Sequence, residues 1–200
     1  MIFFHIFVPT TSHNAMKYLS FFILLFIGEL SVSAQHMFSR QFPFFNQLSS
    51  NEIFSIHQDR EGYFWIGTTN GLARYDGYQL NTFRTDYKNQ NLLTDNGITA
   101  INDNDLYVWI GTWKGLNLYN KQTCRITPFS DARLLDKVVD AITVDKDGNV
   151  WVSAGGMIYR CDSTAHIIKE YEVGNIQEGY AISNIYVDQQ KQLWAVGSRG

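Results

Sequence analysis

The chain has 200 residues, 45% of them hydrophobic and 15% aromatic, which is enough to fold one ordinary domain around an apolar core. The net charge is −3 and only 18% of the residues are charged, so the composition argues against a nucleic-acid surface built on phosphate neutralisation. Two cysteines, Cys124 and Cys161, do not make a disulfide framework, and we expect them to be free or buried rather than bridged.

The first predicted element is an export signal. From Met16 the chain reads MKYLSFFILLFIGELSVSAQ, in which Lys17 supplies a positive charge and residues 18–27 an apolar run. The small residues at 32–34 fit a cleavage site before Gln35. The apolar run is short for a helix that crosses a bilayer. We therefore expect residues 1–34 to be a cleaved signal peptide, and the lack of Lys and Arg in residues 1–15 favours Met16 as the true start.

A repeat of 42 to 44 residues follows the signal. The phrase YFWIGTTNGLARYDGYQ, from Tyr63, returns as YVWIGTWKGLNLYNKQ from Tyr107. The repeat tryptophans are Trp65, Trp109, Trp151 and Trp194, spaced by 44, 42 and 43 residues. The segments before them, IFSIHQD, ITAIND, VDAITVD and ISNIYVD, each have a β-branched residue first and isoleucine fourth. Periods of this size are typical of propellers and other arrays.

Each repeat has the chemistry of a four-stranded blade. An Asp stands six residues before each tryptophan, at Asp59, Asp103, Asp145 and Asp188. DREG and DKDG are predicted hairpin turns in which the Asp caps the turn and Gly62 or Gly148 adopts positive φ. NDND and DQQK replace that glycine, so we expect these two turns to differ in shape. A tryptophan strand, a third strand and a weaker fourth strand complete the unit.

The repeat predicts an all-β fold, a β-propeller with blades near 51–87, 96–130, 137–172 and 180–200. Residues 36–200 then make about three and a half blades, an incomplete propeller truncated within its fourth blade. Segment 36–50, with Phe42, Phe44 and Phe45, predicts an outer strand from which a closing blade could be completed.

The pattern D-x-x-G-x-x-W-I-G-T-x-x-G-L-x-x-Y-D-G, at residues 59–77, resembles the two-component regulator propeller repeat. The lead-in NQLSSNEIFSIHQD is similar to the usual first-blade entry of that family, and the resemblance covers residues 42–200. It is strong in blades one and two. In blade three, WVSAGGMIYRCD lacks the Thr and, on this reading, one residue before the third strand.

The resemblance implies the periplasmic sensor part of a hybrid two-component system of Bacteroidetes-like bacteria. It implies an oligosaccharide ligand from glycan breakdown, further blades and a histidine kinase in a homodimeric parent protein, and an anchor in the inner membrane. For this chain it implies a non-catalytic sensor without a cofactor. The alternatives are a secreted propeller polysaccharide lyase or hydrolase, and a structural protein-interaction propeller.

The chemical motifs have ordinary structural interpretations. We expect the repeat tryptophans to fill the space between neighbouring blades rather than to form a sugar platform. DKDGN resembles the start of a calcium loop, but the twelfth position is Gly156 rather than an acid. His57 and His166 are isolated, and no His/Cys/Asp group has zinc spacing. The sequence predicts neither catalytic residues nor a metal site.

Loops on one face are the predicted place for a ligand. If the first strand of a blade runs from the top face down, the loop after the tryptophan strand and the connectors between blades lie on top. In these loops Thr69, Asn70, Trp113 and Lys114 depart from the repeat. We select three as the candidate ligand site. Trp113 suits stacking on a sugar, Lys114 could hold an acidic group, and Asn70 can donate and accept hydrogen bonds.

Overall fold

The structure is a computed structural model, and it describes residues 42–85, 92–173 and 180–199. Within these ranges the chain forms three four-stranded antiparallel sheets and one two-stranded sheet. The prediction of an all-β propeller built from four-stranded blades is confirmed. The predicted signal peptide lies outside the described residues.

The four sheets follow one another along the chain as blades one to four. Blade one contains β1 (Ile53–Gln58), β2 (Phe64–Thr68), β3 (Gly71–Tyr75) and β4 (Leu80–Phe83). Blade two contains β5 (Ile98–Asp103), β6 (Tyr107–Thr112), β7 (Gly115–Asn120) and β8 (Arg125–Pro128). Blade three contains β9 (Val139–Val144), β10 (Val150–Ala154), β11 (Met157–Cys161) and β12 (Ile167–Glu172). The described part of blade four contains β13 (Tyr180–Val187) and β14 (Leu193–Arg199).

Each complete blade is a meander whose first strand lies innermost. β1 contacts β5, β5 contacts β9 and β9 contacts β13, so the first strands line the axis of the arc. The loop after each tryptophan strand lies on the same face as the connectors between blades, as predicted. The N–H of Gly71 donates to the carbonyl of Asn96 (2.7 Å), and that of Trp113 to the carbonyl of Gly97 (3.1 Å). We call this the top face.

The segment before blade one differs from the prediction. Its described part contains a 3-10 helix, Phe45–Gln47, rather than an outer strand, so that prediction is wrong for residues 42–50. The rings of Phe42 and Phe44 pack on Tyr75 with centroid distances of 5.0 and 5.3 Å. Pro43 has no N–H to donate to a strand ladder, which disfavours a strand here. Residues 36–41 lie outside the described ranges.

The hairpin turns follow one chemical rule in blades one, three and four. Gly62 and Gly148 have φ of 92° and 81°, as predicted. In blade one, the Oδ1 atom of Asp59 accepts hydrogen bonds from two backbone N–H groups of the turn, at 3.0 and 2.9 Å. The turn DQQK of blade four was expected to differ in shape from DREG and DKDG, and that prediction is wrong. Lys191 takes the left-handed conformation (φ 63°), and Asp188 caps the turn in the same way.

The turn of blade two is one residue shorter than that of blade one. Asn104, rather than Asp103, caps it, and its Oδ1 atom accepts from the N–H groups of Leu106 (3.0 Å) and Tyr107 (2.9 Å). The different shape is as predicted. The alignment of Asp103 with Asp59 is wrong, because the strand register puts Asn104 in the place of Asp59.

Asp103, displaced from the turn, forms a clamp between blades one and two. Its side chain is 4% exposed and accepts from His57 Nε2 (2.7 Å), Lys121 Nζ (2.7 Å) and the N–H of Arg60 (3.3 Å). Burial by itself would raise the pKa of Asp103, but these hydrogen bonds lower it to about 2. His57, isolated in the sequence, thus belongs to a buried polar contact between blades.

The first three repeat tryptophans pack on the next blade. Trp65 and Trp109 are 0% exposed and Trp151 is 8% exposed, which confirms the predicted packing between blades, whereas Trp194 is 56% exposed. We call the six apolar positions that receive a tryptophan the tryptophan socket. For Trp65 they are Leu93, Ile98, Ile101, Val108, Ile110 and Tyr119. For Trp109 they are Leu134, Val139, Ile142, Val150, Val152 and Cys161.

The glycine two residues after the tryptophan allows this close packing. A Cβ atom on Gly67 would lie 2.6 Å from Cγ2 of Ile98, and one on Gly111 would lie 2.7 Å from Cγ1 of Val139. Blade three has Ser153 at this position, fully buried and with its hydroxyl unpaired among the described residues.

Both cysteines are free, as expected. Cys124 is exposed, and Cys161 is buried in the blade-three socket. Burial raises the pKa of the Cys161 thiol to about 12.

We predict that Asp103→Asn lowers the free energy of unfolding by about 2 kcal/mol near neutral pH. The folded-state pKa of about 2 lies below the ordinary 3.8, so the carboxylate stabilises the fold fully above pH 3.8. This stabilisation is lost as the pH falls through 2, and the difference between variant and wild type should vanish there. Urea unfolding at several pH values measures it.

The matched control is Asp105→Asn. The Asp105 side chain is 83% exposed and pairs with Arg60 at the surface, so its loss should change the stability by less than about 0.5 kcal/mol. An Asp103→Asn effect that is no larger, or that is unchanged at low pH, would contradict the clamp.

Candidate functional site

A β-bulge recurs in the innermost strand of every blade. One residue is skipped in the pairing with the tryptophan strand, after Ile53 in blade one and after Ile98, Val139 and Ile182 in the others. The skipped residues, which we call the bulge row, are Phe54, Thr99, Asp140 and Ser183. The bulge was not predicted from the sequence.

The repeat did contain a signal for the bulge. Alternate residues of a regular strand share a face, so residues three apart lie on opposite faces. Ile98 and Ile101 nevertheless both pack in the socket around Trp65. An extra residue between them satisfies both contacts, and bulges often re-aim a side chain beside a functional site.

The bulge row lies at the top end of the strands nearest the axis. Ile53, just before the blade-one bulge, pairs with Thr68, which is the last residue of β2 before its top-face loop. The same relation holds in blade two, where Ile98 pairs with Thr112. Four residues, one from each blade, therefore lie at the top end of the innermost strands, which we call the rim.

Asp140 is the charged member of the bulge row. It is half-buried, and within the described ranges its carboxylate has no hydrogen-bond donor. Burial raises the pKa of Asp140 above its ordinary value of 3.8. Its neighbour Thr99 donates to the carbonyl of Val139 (2.6 Å). A half-buried acceptor without a donor is a suitable anchor for a hydroxyl group of a ligand.

Trp113 forms an aromatic pair with the bulge row. The rings of Trp113 and Phe54 are 6.2 Å apart and inclined at 68°, so they bridge blades one and two. Trp113 also covers Gly97, where an added Cβ would lie 2.3 Å from the indole ring. Trp113 remains 43% exposed and Phe54 57% exposed. The rim thus presents an apolar aromatic surface whose indole is held on one side.

Asn70 and Lys114 lie on the same face with other partners. Asn70 Nδ2 donates to the backbone carbonyl of Ser49 (3.3 Å), and the backbone carbonyl of Asn70 accepts from Arg84 Nε (2.8 Å). Lys114 Nζ lies 3.9 Å from a carboxylate oxygen of Asp95 and is 65% exposed. The loops that carry Asn70 and Trp113 bond to adjacent residues of one connector, 96 and 97. The binding role of these residues stays a prediction.

The top-face loop of blade three keeps the length of the others. Ala154 pairs with Met157 as Thr68 pairs with Gly71, so the predicted loss of one residue is wrong. Because Ala154 replaces Thr68, the blade-three loop lacks only the hydroxyl group. In blade one, Thr68 uses this hydroxyl to donate to the carbonyl of Gly71 (2.8 Å).

In the described ranges, no group of three or more His, Cys, Asp or Glu side chains could hold a metal ion. Nor does any helix in that part of the chain reach the length and hydropathy that a membrane span requires.

Residues 47–70 match the family model of the two component regulator propeller. The match covers the first-blade entry with β1 and β2. It confirms the resemblance that the repeat phrase indicates. None of the proteins with curated functions matches the chain.

Solved structures with the same fold include extracellular domains of two component systems and lyases. The extracellular domain of a hybrid two component system from B. thetaiotaomicron is 19% identical over 76% of this chain and 21% of that one, with a TM-score of 0.59. A second such domain from B. thetaiotaomicron is 24% identical over 73% of this chain and 20% of that one, with a TM-score of 0.57. Virginiamycin B lyase from Staphylococcus aureus is 18% identical over 72% of this chain and 48% of the lyase chain, with a TM-score of 0.57.

These likenesses establish the propeller fold. The chain spans about a fifth of the length of the extracellular domains that it matches.

We predict that Asp140→Asn raises the melting temperature near neutral pH. Because the folded-state pKa of Asp140 is raised, its protonated form stabilises the fold at low pH. That contribution is lost as the pH rises, and the ionised carboxylate then disfavours the folded state. Thermal unfolding at neutral pH and below pH 3.8 measures the difference, which should disappear at the lower pH. A lower melting temperature at neutral pH would mean that the carboxylate already has a stabilising partner.

Proposed function

We propose that the chain belongs to an exported sensor domain that binds a glycan-derived oligosaccharide on its top face. In this proposal, binding regulates a histidine kinase in a longer parent protein that is homodimeric, anchored in the inner membrane and periplasmic in its sensor part. The family match at residues 47–70 supports the sensor role. The observation that carries the ligand class is the half-exposed Trp113–Phe54 pair on the top face, with Asp140 at the bulge position of blade three that Phe54 holds in blade one.

The rim has the chemistry that sugar recognition requires. The C–H face of a pyranose is apolar and stacks on an aromatic ring, while its hydroxyls need directed donors and acceptors. Trp113 supplies the ring, and its contacts with Gly97 and Phe54 restrict its motion before binding. Asp140 and Asn70 supply acceptors, and the amide of Asn70 also donates.

The charges favour a neutral oligosaccharide. Lys114 lies within 3.9 Å of Asp95, so an acidic sugar must draw its ammonium group away from that carboxylate. The Asp140 carboxyl group, at the bulge position of blade three, is a second acidic group on the top face. We therefore refine the role expected of Lys114 from the sequence, and propose that it donates to hydroxyls.

We predict that Trp113→Ala weakens binding of the best ligand by about 1–3 kcal/mol, or roughly 5- to 150-fold, because a stacked aromatic anchor is lost. The probes are a panel of neutral, uronic-acid and sulfated oligosaccharides, titrated calorimetrically into the full chain. The melting temperature should stay nearly unchanged, since Trp113 is 43% exposed. Trp109→Ala, in contrast, should cost about 3–5 kcal/mol of stability as a core deletion.

Tyr78→Ala is the matched control. Tyr78 is an aromatic residue, 86% exposed, in the loop between β3 and β4, which lies on the face opposite Trp113. Its removal should leave the affinity unchanged. The proposal is wrong if Trp113→Ala destabilises the fold as much as Trp109→Ala while affinity survives. Conversion of an oligosaccharide to products would show an enzyme rather than a sensor.

A further inference from the structure

Gly97 lies buried beneath the indole ring of Trp113 on the top face. A Cβ atom on Gly97 would lie 2.3, 2.4 and 2.7 Å from Cε3, Cδ2 and Cζ3 of the ring. These distances are far shorter than any contact that a real Cβ atom makes. The indole therefore rests directly on the backbone of Gly97, in a position that we call the Trp113 seat.

The backbone of Gly97 does not itself require glycine. The glycines of the adjacent top-face loops, Gly71 and Gly115, have φ of 129° and 119°, which other residues rarely adopt. Gly97 is not among the glycines with positive φ, so its conformation is open to other residues. The glycine at position 97 thus matches the indole ring above it rather than a turn of the chain.

The other complete blades have larger residues at the position of Gly97. The residue just before the first strand is Glu52 in blade one and Val138 in blade three, and both are exposed. By strand register, Thr69 and Gly155 take the place of Trp113 in these blades. Among the three complete blades, only blade two therefore combines a glycine at the first position with a large ring at the second.

Hydrogen bonds hold the backbone on both sides of the seat. The N–H of Trp113 donates to the carbonyl of Gly97 (3.1 Å), and the N–H of Gly97 donates to Oδ1 of Asp95 (2.8 Å). On the loop side, the hydroxyl of the fully buried Thr112 accepts from the N–H of Lys114 (3.2 Å). Because the backbone is fixed, the size of residue 97 decides where the indole lies.

The seat brings the indole of blade two to Phe54 of blade one. In this position the two ring centroids are 6.2 Å apart, and Trp113 remains 43% exposed. A side chain at position 97 would lift the indole from the backbone and change its contact with Phe54. The aromatic surface that spans the two blades therefore depends on Gly97.

We propose that Gly97 is the positioning residue of the top-face site. Its lack of a side chain seats the Trp113 indole against Phe54, and the seated indole is the platform on which a sugar ring stacks. The sugar rests on the proposed function, whereas the seat can be measured without a ligand.

Calorimetric titration of the full chain with the tightest-binding oligosaccharide of the panel measures the effect on affinity. Gly97→Val, which gives blade two the residue type of blade three, should weaken binding by about 5- to 150-fold, the range expected for loss of the Trp113 platform. In a Trp113→Ala background the same substitution should change the affinity by less than about twofold, because no ring remains to be displaced. If Gly97→Val fails to fold by circular dichroism, Gly97→Ala takes its place, since its Cβ also meets the ring at 2.3 Å.

Fluorine NMR of the full chain labelled with fluorotryptophan follows the seat directly. The resonance of Trp113 is the one that Trp113→Phe removes. Gly97→Val should shift this resonance and leave those of Trp65 and Trp109, buried in their sockets, where they are in the wild type. Val138→Ala changes the equivalent position of blade three and is the matched control, which should leave the Trp113 resonance unchanged.

The outcomes separate this inference from the proposed function. Wild-type affinity of Gly97→Val, equal weakening with and without the Trp113 ring, or an unmoved Trp113 resonance would overturn the positioning role. If no oligosaccharide of the panel binds the wild type, the proposed function is wrong, and the fluorine spectra alone decide whether Gly97 seats the ring.

Discussion

The structure depends on one contact, the repeat tryptophan of each blade packed in the socket of the next. A four-stranded sheet has two faces to cover, and here the indole ring of one blade covers an apolar face of its neighbour. The contact requires a small residue beside the ring, and Gly67 and Gly111 leave room for Ile98 and Val139. The phrase repeats because this interface repeats.

The same packing constraint shapes the candidate site. The socket uses residues three apart on the innermost strand, so the strand must bulge between them. The bulge places Phe54, Thr99, Asp140 and Ser183 along the rim of the top face. These positions do not carry the packing of the socket, so their identity is free to vary with ligand chemistry. A structural requirement of the core thereby provides a row of side chains that differ from blade to blade at the top end of the innermost strands.

Much of the fold could be predicted from the sequence, because the period, the turn residues and the β-branched runs are local signals. The errors arise where tertiary contacts decide. Lys191 adopts a conformation that usually needs glycine, since the capping by Asp188 is kept. Asp103 lies in the buried clamp rather than in the turn where it was expected, because Asn104 caps a shorter turn in this blade. The position of the loops on the top face could be predicted from the strand topology. The contact between the rings of Trp113 and Phe54 joins two blades and has no local signature in the sequence.

Native-state hydrogen exchange of the full chain tests most directly whether blade-to-blade tryptophan packing holds the fold together. One face of β6 (Tyr107–Thr112) packs against Trp65, and Trp109 on its other face packs in the socket of blade three. The face of β14 that carries Trp194 is exposed. The account predicts that the β6 amides exchange slowest, at the rate of global unfolding, and that those of β14 exchange much faster. Equal protection of the two strands, or slower exchange in β14, would contradict it.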